Sequence, residues 1–180
     1  MKIYVIRHEA TVLNEQGIIN GRLQDELSDK GRTDLIRLVD KLKSYNFGKL
    51  YSSPLNRAIQ TAEPIAADHN NLAITIDPRL VEVDFGSFTG KSWQSVKEFF
   101  DQPNSSEMLN TYNYDFSKFD GESYKQVEKR VRSFIDSLSD NNDSGSLIIT
   151  HGGVIRWFYW ILKKEKVKTF PNGSIHEFEI

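Results

Sequence analysis

No cysteine occurs in the 180 residues, which excludes disulfides and thiolate chemistry and leaves the redox state of a compartment unmarked in the composition. Neither charge is in excess: 23 Lys and Arg stand against 25 Asp and Glu, a net charge of -2 at pH 7. No global attraction to nucleic acid or to a membrane surface is built in, so any cations that matter must act locally. No apolar run reaches the roughly 18 residues needed to span a bilayer. Met1-Lys2 leads straight into a short strand, without the apolar region of a secretion leader. Internal repeats, low-complexity segments and linkers are absent, and so is a P-loop. What remains is the expectation of one cytoplasmic domain over residues 1–180, long enough to bury roughly two-thirds of the surface its unfolded chain exposes.

Against that background two stretches stand out. Ile3-Tyr4-Val5-Ile6 is an apolar run that reads as a buried strand and stops abruptly in Arg7-His8; Leu147-Ile148-Ile149-Thr150 is a second, and it stops in His151-Gly152-Gly153. A cation and two imidazoles are a poor continuation of a core. They suit the C-terminal edge of a parallel sheet, where open α/β folds bind ligands. If the two strands are parallel neighbours, His8 and His151 emerge on one edge.

The rest of the chain fits such a sheet. Residues 9 to 27 are polar and read as a loop of a length that is more often functional than idle. Ser28 can cap a helix whose apolar positions Leu35, Leu38, Val39 and Leu42 have helical spacing. Leu50-Tyr51-Ser52-Ser53 is a short strand, after which Pro54 opens a helix with Ala58, Ala62, Ile65 and Ala66 on its buried face and a kink expected at Pro64. Ala73 to Ile76 is another strand, Trp93, Val96, Phe99 and Phe100 suggest a short helix, and residues 101 to 121 read as an excursion over a pocket. From Glu122, the spacing of Val127, Val131, Phe134, Ile135 and Leu138 gives an amphipathic helix. An aromatic-rich helix from about Val154 to Lys163 follows the strand that ends at His151, and a last strand covers about Ser174 to Ile180, at a sheet edge. Strands alternating with helices imply an α/β fold of three layers, a mostly parallel sheet flanked by helices on both faces.

Arg7, His8, Arg57, Glu82 and His151 each fall at or just past a strand end, so five residues distant in sequence can surround one small ligand. Two guanidinium groups match a phosphate or carboxylate, imidazoles add donors or a nucleophile, and the first turn of the helix carrying Arg57 favours an anion. The ligand implied is an anion, most simply a phosphoryl group. Metal binding is the competing enzymatic reading, with His8, His151, Glu82 and Asp84 as its ligands. No His-x-His or His-Glu-x-x-His spacing supports it, and two arginines in the same place repel a divalent cation. His69 and His176 have no evident partners in the pattern and read as surface residues.

The ordered set Arg7-His8, Ser53-Pro54-Leu55-Asn56-Arg57 and His151-Gly152-Gly153 resembles the histidine phosphatase superfamily, which includes the cofactor-dependent phosphoglycerate mutases, from Lys2 to about Ile175. The resemblance implies a phosphatase that hydrolyses small phosphate monoesters through a phosphohistidine on His8, with Arg7, Arg57 and His151 holding the phosphoryl oxygens and Gly152-Gly153 letting backbone approach closely. The segment Leu80-Val81-Glu82-Val83-Asp84-Phe85-Gly86 matches the family's acid-bearing segment with Glu82 in the acid's place and Asp84 in reserve. Asn14 matches a phosphate-contacting asparagine, and Asn20-Gly21 falls where mutases contact substrate. The partner implied is a small phosphorylated metabolite, with no nucleic acid, no membrane, and no metal or organic cofactor; no oligomeric state is specified. Mutases of the family carry longer insertions and a longer C-terminal tail, so phosphatase is favoured and phosphoglycerate mutase is the runner-up. One residue departs from the pattern: Glu9 stands where glycine or alanine usually follows the nucleophile. A bulky acid there must point away from the phosphate or repel it, and if positive φ were required it would be strained. It makes a catalytically weak anion-binding regulatory module the non-enzymatic alternative.

Overall fold

The computed structural model describes residues 1–94, 96, 115–138, 145–167 and 169–180, and its first strand is the apolar run near the N-terminus. Strand β1, Lys2–Arg7, sends alternate side chains to opposite faces. Ile3 and Val5 enter one hydrophobic layer with Val131, Phe134, Val154 and Phe158, and Tyr4 and Ile6 enter another with Leu35, Leu38, Leu42 and Ile65. Cover on both faces is why the strand reads as a continuous apolar run.

Strands β2 (Phe47–Ser52), β3 (Ile74–Ile76), β4 (Gly145–Thr150) and β5 (Ile175–Glu179) complete a five-stranded sheet in the order β3-β2-β4-β1-β5. The pairs β1/β4, β2/β4 and β2/β3 are parallel, and β5 runs antiparallel to β1 at the edge. The expected neighbours are thus side by side, with Arg7 opposite Thr150. Because Ser52 lies opposite Ile149, the ends of β1, β2 and β4 fall nearly level.

Helices α2 (Asp29–Leu42) and α3 (Asn56–Asp68) cover one face; α4 (Tyr124–Leu138) and α5 (Gly152–Lys163) cover the other. Val127, Val131, Phe134, Ile135 and Leu138 form the buried stripe of α4, each worth about 1.5–3 kcal/mol of transfer free energy. Ser28 caps α2 by accepting from Gly31 N–H at 3.0 Å. Gly31 is required for a second reason: a Cβ there would run into the carbonyl of Ala10, so its absence lets α2 dock on the chain leaving β1.

Several boundaries differ from the sequence expectations: β2 begins three residues earlier, at Phe47, and stops before Ser53, and β3 begins at Ile74. The segment after β1 is not all loop: Val12–Glu15 forms a short helix, α1, held by a capping box in which Thr11 and Asn14 bond each other's backbone N–H. Helix α3 begins at Asn56 with Leu55 as its N-cap, so Pro54 precedes it, and the helix runs on through Pro64 to Asp68. Helix α4 begins at Tyr124, which frees Glu122 for other contacts, and α5 begins at Gly152, putting both glycines in its first turn. Asn141-Asn142-Asp143-Ser144, whose composition reads as a turn after α4, and most of the helix and excursion expected between Trp93 and Gly121 lie outside the described residues.

Candidate active site

Three parallel strands deliver three consecutive polar positions to one edge. His8 follows β1 and donates its N–H to Thr150 O at 2.9 Å; Ser53 follows β2 and donates to Ile149 O at 3.0 Å; His151 follows β4 as the N-cap of α5. Extending the ladder by one residue past each strand fixes these backbones before any side chain acts. The His8 and His151 rings lie 5.0 Å apart between centroids, and both residues are buried.

The tautomer of His8 follows from its partners. Its Nδ1 is 2.7 Å from the carbonyl of Glu9, and since that oxygen can only accept, Nδ1 carries the proton. The lone pair is then on Nε2, which accepts from Arg57 Nε at 3.2 Å. Burial, reinforced by Arg57 and Arg7, pushes the His8 imidazole well below its ordinary range, so the ring is neutral around pH 7. Burial likewise pushes His151 down, with Arg57 and His8 adding to it. Ser53 Oγ sits 2.7 Å from His151 Nε2 while accepting from Leu55 N–H at 3.3 Å, which aims the second imidazole.

Arg57, the second residue of α3, is fully buried; besides His8 it donates to Gly21 O at 2.7 Å and to Leu23 O at 2.8 Å. Burial lowers it from 12.5 to about 10, opposed by Glu82 and Asp25, and it stays a cation at neutral pH. Arg7 ends β1, donates through Nη1 to Phe170 O, and is also lowered by burial. Gly152 stacks over it: a Cβ there would lie 3.6 Å from Arg7 Nε. Two polar atoms at this edge, Arg7 Nε and His151 Nδ1, are buried with no hydrogen-bond partner among the described residues. Leaving a buried polar group so costs about 1–3 kcal/mol. An anion lying against both satisfies them.

Glu82 lies beyond a 3-10 turn, Pro78–Leu80, whose position is set by Thr150 Oγ1 donating to Leu80 O at 2.8 Å. Its carboxylate accepts from its neighbour Val83 N–H at 2.8 Å and from Gly153 N–H at 3.3 Å, which puts it beside the first turn of α5. A Cβ on Gly153 would overlap that carboxylate, so a side chain here would displace Glu82 from its present place. Asp84, the reserve acid, is engaged elsewhere: its Oδ1 accepts from Gly86 N–H at 2.9 Å and its Oδ2 lies 3.5 Å from Arg22 Nη1.

Asn14, Asn20 and Gly21 support the site through the loop. Asn14 Oδ1 accepts from Thr11 N–H and from Asn172 Nδ2, each at 3.2 Å, and its Nδ2 donates to Asn20 Oδ1 at 3.3 Å. Asn20 Nδ2 donates to Thr11 Oγ1 and to Asp25 Oδ2, each at 2.9 Å. Gly21 contributes its carbonyl to Arg57. Glu9 is buried, has no positive φ, and is accommodated by glycine at another position: a Cβ on Gly173 would overlap its carboxylate. Burial, with the charge of Asp34 on α2, raises that carboxyl to about 6.

Several contributors escaped the sequence reading. Ser53 was visible as the residue one past β2, the same offset as His8 and His151. Asn172, which donates to His8 O at 3.0 Å, and the carbonyl of Phe170 come from the turn before β5, which carries no motif. His176 is not a partnerless surface residue: it bonds Tyr159 OH at 3.0 Å and Ser174 Oγ at 2.9 Å, and burial lowers it to about 4. His69 stacks on Phe47 at 4.3 Å and bonds Ile65 O at 3.0 Å. Among the described residues no cluster of His, Asp and Glu suits a metal ion, and no helix is long and apolar enough to cross a membrane.

Comparison with known proteins places these residues in context. A family model described as the histidine phosphatase superfamily, branch 1, matches residues 3–180. A putative phosphoserine phosphatase 2 of Hydrogenobacter thermophilus is 31% identical over 154 residues, covering 86% of this chain and 74% of that protein. A metal-independent phosphoserine phosphatase of Arabidopsis thaliana is 28% identical over 186 residues, covering 97% and 74%. Among solved structures, phosphoglycerate mutase from Bacillus anthracis superposes with a TM-score of 0.86 at 25% identity, covering 98% of this chain and 86% of that one.

Proposed function

The chain belongs to the histidine phosphatase superfamily, branch 1, and from that premise we propose that it hydrolyses small phosphate monoesters without a metal, forming a phosphohistidine on Nε2 of His8. The observation that carries this assignment is the bond from His8 Nδ1 to the Glu9 carbonyl, which leaves the Nε2 lone pair as the nucleophile. In the first step that lone pair forms an N–P bond as the ester P–O bond breaks, and a proton from the Glu82 carboxyl goes to the departing oxygen. Arg57 then turns its Nε donor from His8 to a phosphoryl oxygen. Arg7 Nε and His151 Nδ1, which have no partner among the described residues, bind the others. In the second step Glu82 takes a proton from water, the water oxygen bonds phosphorus, and the N–P bond breaks to release inorganic phosphate and return the lone pair to Nε2.

The substrates proposed are small phosphorylated metabolites, in keeping with the phosphoserine phosphatases among the relatives. The test is phosphate release from a panel including O-phosphoserine, 3-phosphoglycerate and p-nitrophenyl phosphate in excess EDTA, for wild type and His8→Ala, with acid-quenched protein assayed for phosphohistidine. Release that persists in EDTA, a trapped phosphohistidine in wild type, and loss of both in a folded His8→Ala protein are expected. Turnover by folded His8→Ala would overturn the mechanism. Isomerisation of 3-phosphoglycerate without release would make the protein a mutase.

A further inference from the structure

We propose that Arg22 and Glu122 are positioning residues that fix the acid relative to the nucleophile; this rests on the reading of Glu82 as the acid. Residues 21–23 bridge the two sides of the site. Their backbone faces the phosphate-binding arginine, since the carbonyls of Gly21 and Leu23 accept from Arg57. The side chain between them reaches the other way: Arg22 Nε donates to Glu82 O at 3.2 Å, Nη2 to Glu122 Oε2 at 3.0 Å, and Nη1 lies 3.5 Å from Asp84 Oδ2. One arginine thus ties the carbonyl of the acid to the loop that holds Arg57.

Glu122 anchors that arginine and the acid's segment together. Its buried carboxylate accepts from Arg130 Nε at 2.8 Å and Nη2 at 3.0 Å, and its own N–H donates to Asp84 O at 2.9 Å. Arg130 Nη1 in turn donates to Arg79 O at 2.6 Å and Val81 O at 2.7 Å. The backbone on both sides of Glu82 is therefore held through one carboxylate and two guanidinium groups, and the carbonyl of Glu82 itself by one of them. None of these bonds reaches Arg7, His8 or His151. Loosening them shifts the acid while leaving the nucleophile in place, and a displacement of about 1 Å at a catalytic group costs up to roughly 10²-fold in rate.

Arg22→Met keeps the aliphatic stem and removes every donor, and Arg22 is exposed enough for the variant to fold. An alkyl ester such as O-phosphoserine needs its leaving oxygen protonated; p-nitrophenyl phosphate, with a stable phenolate, does not. For the alkyl ester of the panel that is turned over fastest, kcat/KM, which covers only the steps through phosphoenzyme formation, should fall roughly 10- to 100-fold in Arg22→Met, and kcat/KM for p-nitrophenyl phosphate should stay within about threefold. Arg22→Lys should recover only part of the loss, because an ammonium cannot make the three contacts at once. In a Glu82→Gln background Arg22→Met should add almost nothing, since both changes disable the same step. An equal loss of kcat/KM on both esters, or additivity with Glu82→Gln in kcat/KM for the alkyl ester, would overturn the proposal. Should Glu82→Gln alone spare the alkyl ester, the reading of Glu82 itself fails and the positioning role with it.

Discussion

Glu9→Gln should stabilise the protein at alkaline pH and leave its chemistry intact. In the folded chain the Glu9 carboxyl is raised from an ordinary 4.5 to about 6, first by burial and then by Asp34, so the folded state holds this proton more tightly than the unfolded state. The sign follows: between pH 4.5 and 6 the unfolded chain ionises first, stability falls as pH rises through that window, and the whole penalty persists above it. At about 1.4 kcal/mol per pH unit, the shift corresponds to about 2 kcal/mol, and residual hydration of the carboxylate discounts this to about 1 kcal/mol. For a chain of this length that is about 2–4 °C in Tm. Glutamine keeps the acceptor oxygen and removes the titration. His8 and His151, lowered by burial, give the opposite slope below pH 6.5, but they are common to both proteins and cancel in the difference. Calorimetric melts of wild type and Glu9→Gln at pH 4 and pH 8 should therefore nearly coincide at the lower pH and separate by about 2–4 °C, variant above wild type, at the higher. A constant difference, or a variant less stable at pH 8, would refute the reasoning. Because the His8 ring bonds the backbone carbonyl of Glu9, kcat should change by less than about threefold.

Glu82→Gln should reduce kcat/KM for an alkyl ester by about 10²- to 10⁴-fold and for p-nitrophenyl phosphate far less, because kcat/KM stops at phosphoenzyme formation and omits the water step that both esters share; equal losses of kcat/KM would remove Glu82 from the acid role. Ser53→Ala takes the hydroxyl from between His151 Nε2 and Leu55 N–H, so it should cost about 1–3 kcal/mol of stability in denaturant titrations and lower turnover through a misdirected imidazole; a fully active variant of undiminished stability would show that Ser53 does not orient the ring.

How much of this was readable in advance depends on how local the cause is. The ends of β1 and β4 announce themselves because a run buried on both faces stops at charged and imidazole residues, and their adjacency follows once both are taken as parallel strands. Glu82 could be placed from its segment, although its separation in role from Asp84 required the partners of each carboxylate. The helix after Thr11 escaped because its box closes with asparagine, where the usual signal is Glu or Gln. Glu122 looked like part of a helix start for an equally plain reason: Arg22, its partner, lies 100 residues away in sequence, and no spacing rule reports such a pair. Glu9 raised the question of strain at its own position, whereas the accommodation is made at Gly173, which only the fold brings beside it.

The charge balance at the strand edge links burial to the order of events in the proposed reaction. With both imidazoles neutral, Arg7, Arg57 and Glu82 leave this cluster one positive charge in excess, so a free anion is drawn in. A bound phosphate dianion turns that excess into one negative charge in surroundings that screen poorly. Of the groups there, the Glu82 carboxyl is the one the proposed reaction uses to hand a proton to the leaving oxygen. Once the ester oxygen has left as an alcohol, the same carboxylate is ionised again and ready to take a proton from water. Neutral histidines are what make this sequence work: were His8 protonated in the free protein, it would lack the lone pair that attacks phosphorus.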